Sequence, residues 1–279
     1  MANAIRVEKA GYVAWMILNR PEKLNAMTIE TWSYMGDLLR ELDRDLSVRC
    51  LVIAGEGRAF LAGHDVAEIK EHSEHIASGQ IGANQLREWQ KKLQNTTRLI
   101  RLARFPVVAA VHGYAVGAGC ELVLACDLVV AEHNAKFGFP EVNIGATITN
   151  GGTFFMPRKI GLAKARELAY TGEFIDAAEA YRIGLVNRLA PAGEALSAAL
   201  ALAETLASRP ALALSLIRAG VRDSMNQTTQ EAINRTLTDS HRVFTSPDIE
   251  EGVSAFFAKR APVFTAGRNR SRQGTRRKD

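Results

Sequence analysis

The apolar positions of this chain follow two periods, and the switch between them outlines the fold. Val13–Leu18, residues 50–54 (CLVIA), Val107–Val111 and residues 128–131 are short, continuous apolar runs rich in β-branched residues. Turn formers bound them, so they read as buried strands. Between them, Ile29, Trp32, Met35, Leu38, Leu39 and Leu42 recur at helical spacing behind Thr28, a suitable cap for a helix over 29–46. A second amphipathic helix is predicted over 84–104, stopped before Pro106. A short helix near 65–71 is expected with Asp65 as its cap. Residues 72–82, polar and carrying Ser and Gly, read as a loop. Residues 113–119 read as a glycine-rich turn into a helix ending at Ala125. Helices at 162–170 and 176–182 and a strand at 186–189 follow. Beyond these the pattern is helical only, over 193–208, 210–224, 228–244 and 248–258. Strand–helix alternation that gives way to helices alone predicts an α/β protein with a boundary near residue 190, at Pro191 and Gly193. The expected division is a core over 1–190, a helical region over 191–267 and a terminal tail over 268–279.

Composition changes the picture in two places. Among 279 residues, 47% are apolar, enough to bury a core and to exclude disorder throughout. Three cysteines, Cys50, Cys120 and Cys126, lie in apolar segments. An odd number so placed reads as reduced core thiols of a cytoplasmic protein. The net charge of +5 belongs to one place. Residues 268–279 (RNRSRQGTRRKD) hold six basic side chains and one acidic, so residues 1–267 are neutral. A neutral body argues against nucleic acid or an anionic membrane as partner. The tail has no aromatic residue to stack on bases and reads as a disordered terminus. Residues 12–18 are too few to span a bilayer. Residues 107–131 carry His112, Glu121 and Asp127, each costly in lipid.

The segment from Gly113 to Glu121 (GYAVGAGCE) joins a buried strand to a helix. Such a turn exposes N–H groups at a helix start and suits a phosphate or an oxyanion. A dinucleotide fingerprint fails here, because Leu122 stands where the third glycine belongs. Residues 59–65 (AFLAGHD) form a second strand-to-helix turn. Two acids stand in apolar surroundings, Glu121 in CELVLAC and Glu141 in FGFPEVNIG. Burial would raise their pKa values and suit them to proton transfer. A helix-start charge for Glu121 and a loop acid for Glu141 are the slightly favoured reading from the sequence alone, and both readings stay open at this point. His72 and His75 have ligand-like spacing but no third ligand, so they read as solvated and no metal site is expected. Cys120 lacks a local base, and His112 reads as a satisfied core histidine.

Taken together, LNRPEKLNAM (18–27), AFLAGHDVAEI (59–69), PVVAAVHGYAVGAGCELVLACDLVVA (106–131), FGFPEVNIG (137–145), LAYTGEFIDAAEAYRIGLVNRL (168–189) and EGVSAFFAKRAPVF (251–264) resemble the crotonase superfamily of enoyl-CoA hydratases and isomerases. The resemblance covers about residues 5–267. It implies a spiral of β-β-α turns followed by helices that trimerise, with hexamers built as dimers of trimers. It implies an acyl-CoA substrate and no metal or redox cofactor. The family's backbone oxyanion donors fall on His64 and Ala118, and its two glutamates on Glu121 and Glu141. That pair is the hydratase pattern, for hydration of a 2-enoyl-CoA as in fatty acid metabolism. Isomerases, hydratase-lyases and a nucleic-acid-binding homologue are the alternatives. For CoA the resemblance points to the loop from Arg20 through Lys23 to Leu24 and to the backbone of Ala62. It also points to Lys259, directed at a neighbouring subunit's ligand, although Lys259 by itself reads as a solvated helix end. One departure is visible. Residues 146–150 (ATITN) stand where many hydratases carry Pro-Gly. This segment lines the family's acyl pocket, so Thr149 and Asn150 become pocket candidates.

Overall fold

The computed structural model describes residues 4–264; the basic tail over 268–279 lies outside them. Strands β1 (Ile5–Ala10) and β2 (Val13–Leu18) pair antiparallel. Each later strand of the main sheet then adds in parallel: β3 (Cys50–Gly55), β4 (Val107–Val111), β6 (Leu128–Glu132) and β9 (Arg188–Ala190). The six-stranded order is β1-β2-β3-β4-β6-β9. A smaller sheet holds β5 (Tyr114–Val116), β7 (Lys136–Gly138) and β8 (Phe174–Asp176) in that order. Two isolated parallel bridges, Met27 with His64 and Leu61 with Ala115, continue the second layer into the earlier turns of the chain. The chain thus winds as a spiral. Each turn lays one strand in the main sheet, one short extended piece beside it, and a helix outside, which is the crotonase-like architecture.

Parallel strands are buried on both faces, hence their continuous apolar runs. Residues alternate between faces with period two. Leu51, Ile53, Val107, Ala109, Val111 and Val129 point into the larger core, beneath α1 (Ile29–Arg44) and α4 (Ala118–Ala125). Cys50, Val52, Val108, Ala110 and Val130 point the other way, against α8 (Ala195–Ala207). The face of α8 that meets them carries Ala195, Ala199 and Ala203, four residues apart. Small side chains let this helix lie close on the sheet, so the first compact unit runs to Ala207. The division therefore falls after 207, not near 190. The second unit contains α9 (Ala211–Asp223), α10 (Thr229–Phe244) and α11 (Pro247–Phe257), an all-helical region. Thr228 and Glu231 close a reciprocal capping box at the start of α10.

Several elements differ from the sequence expectation. Helix α2 spans Val66–Ala77, so most of the expected loop over 72–82 is helical. Its cap is Asp65, whose side chain accepts the Ala67 N–H, as anticipated. Helix α3 (Ala83–Leu102) matches the second amphipathic pattern. The intervening helices are α5 (Gly152–Ile160), α6 (Leu162–Thr171) and α7 (Ala177–Arg182). Strands β1, β5, β7 and β8 and helix α5 were not legible. Three of those strands are only three residues long, and α5 opens on glycines and contains Pro157. No single helix among the described residues is long and apolar enough to cross a membrane.

Candidate active site

Two successive turns of the spiral bring their strand-to-helix corners side by side. Ala118 is the first residue of α4, so its N–H has no acceptor inside the helix. In the turn before, the bridge to Met27 uses the Gly63 carbonyl and the Asp65 N–H, at 3.0 Å each. The intervening His64 N–H therefore points to the opposite side. Gly63 lets the corners meet. Its φ is +99°, and a Cβ there would stand 3.0 Å from the Val116 carbonyl oxygen and 3.6 Å from the Ala118 nitrogen. Gly119 locks the same approach, because a Cβ on it would collide with the Leu61 carbonyl oxygen at 2.1 Å. Both N–H-bearing residues line one cavity of about 680 Å³.

The two acids line that cavity as well. Glu121 lies in the first turn of α4 and is 2% exposed. Its Oε1 accepts the N–H groups of Asn150 at 2.7 Å and Gly152 at 3.0 Å. Burial pushes its pKa up to about 7; the backbone donors pull it down, and the nearby Glu141 charge raises it further. Glu141 opens a 3₁₀ turn over Pro140–Ile144, directly after β7. Burial raises its pKa too, and its Oε2 is buried without a protein partner. A Cβ on Gly117 would stand 3.3 Å from Glu141 Oε1, so this carboxylate lies over the residue next to Ala118. The arrangement offers two N–H donors for a developing oxyanion and two carboxyls whose raised pKa values suit them to proton transfer.

A family model described as enoyl-CoA hydratase/isomerase matches residues 8–267. The chain belongs to this family. A probable enoyl-CoA hydratase of Mycobacterium tuberculosis is 37% identical over 261 residues, covering 94% of this chain and 97% of that protein. A crotonyl-CoA hydratase of Syntrophomonas wolfei is 36% identical, covering 93% and 97%. Among solved structures, a putative enoyl-CoA hydratase from Streptomyces coelicolor A3(2) superposes with a TM-score of 0.89 at 37% identity, covering 95% of this chain and 94% of that one. The crotonase superfamily assignment and the α/β spiral therefore hold across the described chain, and the family match stops before the basic tail.

The remaining hydratase/isomerase-family positions are placed less simply. Arg20 is spent on the fold: its guanidinium donates to the Ala26 carbonyl at 2.6 Å and to Asp65 Oδ2 at 3.2 Å. Lys23 is exposed. Leu24 has φ 50°, and its carbonyl accepts the Ala62 N–H at 3.0 Å. What Ala62 can still offer a ligand from its backbone is thus its carbonyl. Thr149 lines the cavity. Asn150 does not: it is buried, and its contribution is the backbone N–H on Glu121. Lys259 is exposed and belongs to the second unit. His72 and His75 sit on α2, not in a loop. His72 stacks on Trp89 with ring centroids 3.9 Å apart, and both line the cavity beside Ile69, Leu86 and Leu93. His112 is satisfied by the Gly57 carbonyl at 3.0 Å, and Cys120 is buried with its thiol pKa pushed up.

Sequence reasoning missed Asn25, Gly152 and Glu68. Asn25 is buried with φ 61°. Its Nδ2 donates to the carbonyls of Glu56 and Ala59, which ties the Arg20–Leu24 loop to the corner before His64. An asparagine tolerant of left-handed backbone just after Leu24 was the available signal.

The raised Glu121 pKa has a consequence for stability. Between about pH 4.5, its ordinary value, and about pH 7, the folded protein keeps this proton and the unfolded chain releases it. Stability from this residue is full below 4.5 and is lost as pH rises through 7. Glu121→Gln keeps an oxygen for the two N–H donors and has no charge to bury. Thermal denaturation across a pH series is expected to show its Tm advantage over the wild type growing between pH 4.5 and 7 and levelling above. Parallel curves would contradict the assigned burial cost.

Proposed function

We propose that this protein hydrates a 2-enoyl-CoA thioester to the 3-hydroxyacyl-CoA. The observation that carries the reading is the convergence of Glu121, Glu141 and the corners bearing the His64 and Ala118 N–H groups on one cavity. The thioester oxygen sits between the two N–H donors. Glu121 takes a proton from water as the water oxygen bonds to Cβ. The Cα–Cβ π electrons move toward the carbonyl, and the N–H pair stabilises the resulting enolate. Glu141 delivers its proton to Cα, and the enolate collapses to the thioester. One carboxyl gains a proton as the other loses one, and exchange with solvent resets the pair. Raised pKa values support this role, because burial that disfavours the charged form of each carboxyl suits it to exchange a proton with the reacting atoms.

The apolar wall supplied by α2 and α3 takes the acyl group, with Thr149 beside it. The CoA moiety follows the Arg20–Leu24 loop and Ala62, and Lys259 reaches the phosphates of a ligand bound by a neighbouring subunit. Assembly as a homotrimer, or as a hexamer of two trimers, is supported by the exposed apolar residues of the second unit, including Phe256 at 78% and Phe257 at 79%. A panel of CoA thioesters read by mass spectrometry tests the reaction class. Hydration adds the mass of one water to a 2-enoyl-CoA. An isomerase leaves the mass unchanged and moves the double bond, and a hydratase-lyase shortens the acyl chain. Either of those products as the main outcome would displace the hydratase reading.

A further inference from the structure

The His64 side chain is not idle. Its Nε2 lies 2.8 Å from Glu68 Oε2, one turn along at the start of α2. The same Oε2 accepts the N–H of Ile29, the first residue of α1, at 2.8 Å. A carboxylate oxygen that already takes one N–H can only accept from the imidazole, so Nε2 carries the ring proton. Nδ1 is buried without a partner, and desolvation pushes the imidazole pKa down, so the ring is neutral. The peptides on both sides of His64 are pinned to Met27. The Glu68 carboxylate adds a third tie, from the side chain of His64 to the residue after the helix cap, Ile29. His64 is thereby held on both its backbone and its side chain against one short segment, Met27 to Ile29.

We propose that Glu68 is a positioning residue for the oxyanion hole: by holding the His64 imidazole and the Ile29 N–H on one oxygen, it fixes the direction of the His64 peptide N–H. This rests on the reading of that N–H as a donor to the thioester oxygen. Glu68 does not touch substrate. Its effect passes through the imidazole to a backbone group one bond from the side chain's own Cα. Oxyanion donors act at short range and narrow angle, so a small rotation of this peptide weakens the bond that matters most in the enolate. A glutamine at 68 has a carbonyl oxygen able to accept both N–H groups, whereas an alanine has none. His64→Ala removes the other end of the same tie, so the two alanine substitutions act as a unit and are not additive.

The test uses butyryl-CoA labelled with ¹³C at the thioester carbonyl, a saturated ligand that cannot be hydrated. Difference infrared spectroscopy of the bound ligand reads how strongly the hole polarises the carbonyl, whatever the reaction. The wild type is expected to shift the carbonyl stretch to lower frequency on binding. Glu68→Ala is expected to lose at least half of that shift while binding butyryl-CoA within about threefold of the wild type. Glu68→Gln is expected to restore most of it. With an enoyl-CoA that the wild type hydrates, kcat of Glu68→Ala is expected to fall about tenfold, with KM little changed, and the double variant with His64→Ala to be no slower than the slower single. Equal carbonyl shifts in wild type and Glu68→Ala would overturn the proposal, and so would the absence of any shift in the wild type. Failure of the hydratase reading shows elsewhere, as no water added to any enoyl-CoA by a wild type that still polarises butyryl-CoA.

Discussion

Glu121→Gln and Glu141→Gln are each expected to lower kcat by roughly 10²-fold or more, the scale of a lost acid–base group. Both substitutions preserve shape. At Glu121 the amide oxygen still accepts the Asn150 and Gly152 N–H groups, so the loss reports on the proton and not on the fold. Groups that act on one water act as a unit, and the double variant is expected to be little worse than the worse single. The two singles differ in a second reaction. In deuterated solvent, Glu121→Gln retains exchange at Cα of a saturated acyl-CoA, since Glu141 still faces that carbon. Glu141→Gln loses it. Intact hydration in Glu121→Gln would remove the two-carboxylate mechanism and favour a proton shuttle through Glu141 alone.

Ala118→Pro is expected to reduce kcat by about 10²-fold or more, because it deletes one oxyanion donor. The position makes this a clean deletion. Ala118 is the first residue of α4, where proline's fixed φ is tolerated and its missing N–H leaves no helical bond unmade. Retained thermal stability, read by calorimetry, would confirm that only the donor was lost. His64→Ala keeps its N–H and loses only the tie to Glu68, so it is expected to cost about tenfold. Equal losses in the two variants would assign the imidazole a chemical role beyond positioning.

What the sequence made legible follows from where the constraints are local. The buried strands and α1 announce themselves, since a parallel strand is apolar on both faces and α1 buries one clear stripe. Glu121 and Glu141 were visible because a carboxyl amid apolar residues is costly wherever it lies. Their meeting in one cavity was not, since it arises from adjacent turns of a spiral and from bridges such as Leu61 with Ala115. The misreading of 72–77 has a physical cause. Helix α2 buries no residue completely, so its stripe of Val66, Ile69 and Ile76 is thin and most of its other positions are polar. The boundary near 190 marked a change of secondary structure, whereas α8 still belongs to the first unit through its alanine face. Asn150 drew notice for its side chain, but its backbone holds Glu121. Backbone donors carry no residue-type signature, so a histidine at the proposed hole position gives no sign of the role of its N–H.

The central claim is that water is added across the acyl double bond at this cavity. Incubating the wild-type protein with a 2-enoyl-CoA in water labelled with ¹⁸O, and weighing the product, tests it most directly. The account predicts a 3-hydroxyacyl-CoA heavier than the substrate by one labelled water, with the label on the Cβ oxygen. A product of unchanged mass whose double bond has moved to another position, with no label taken up, would contradict it.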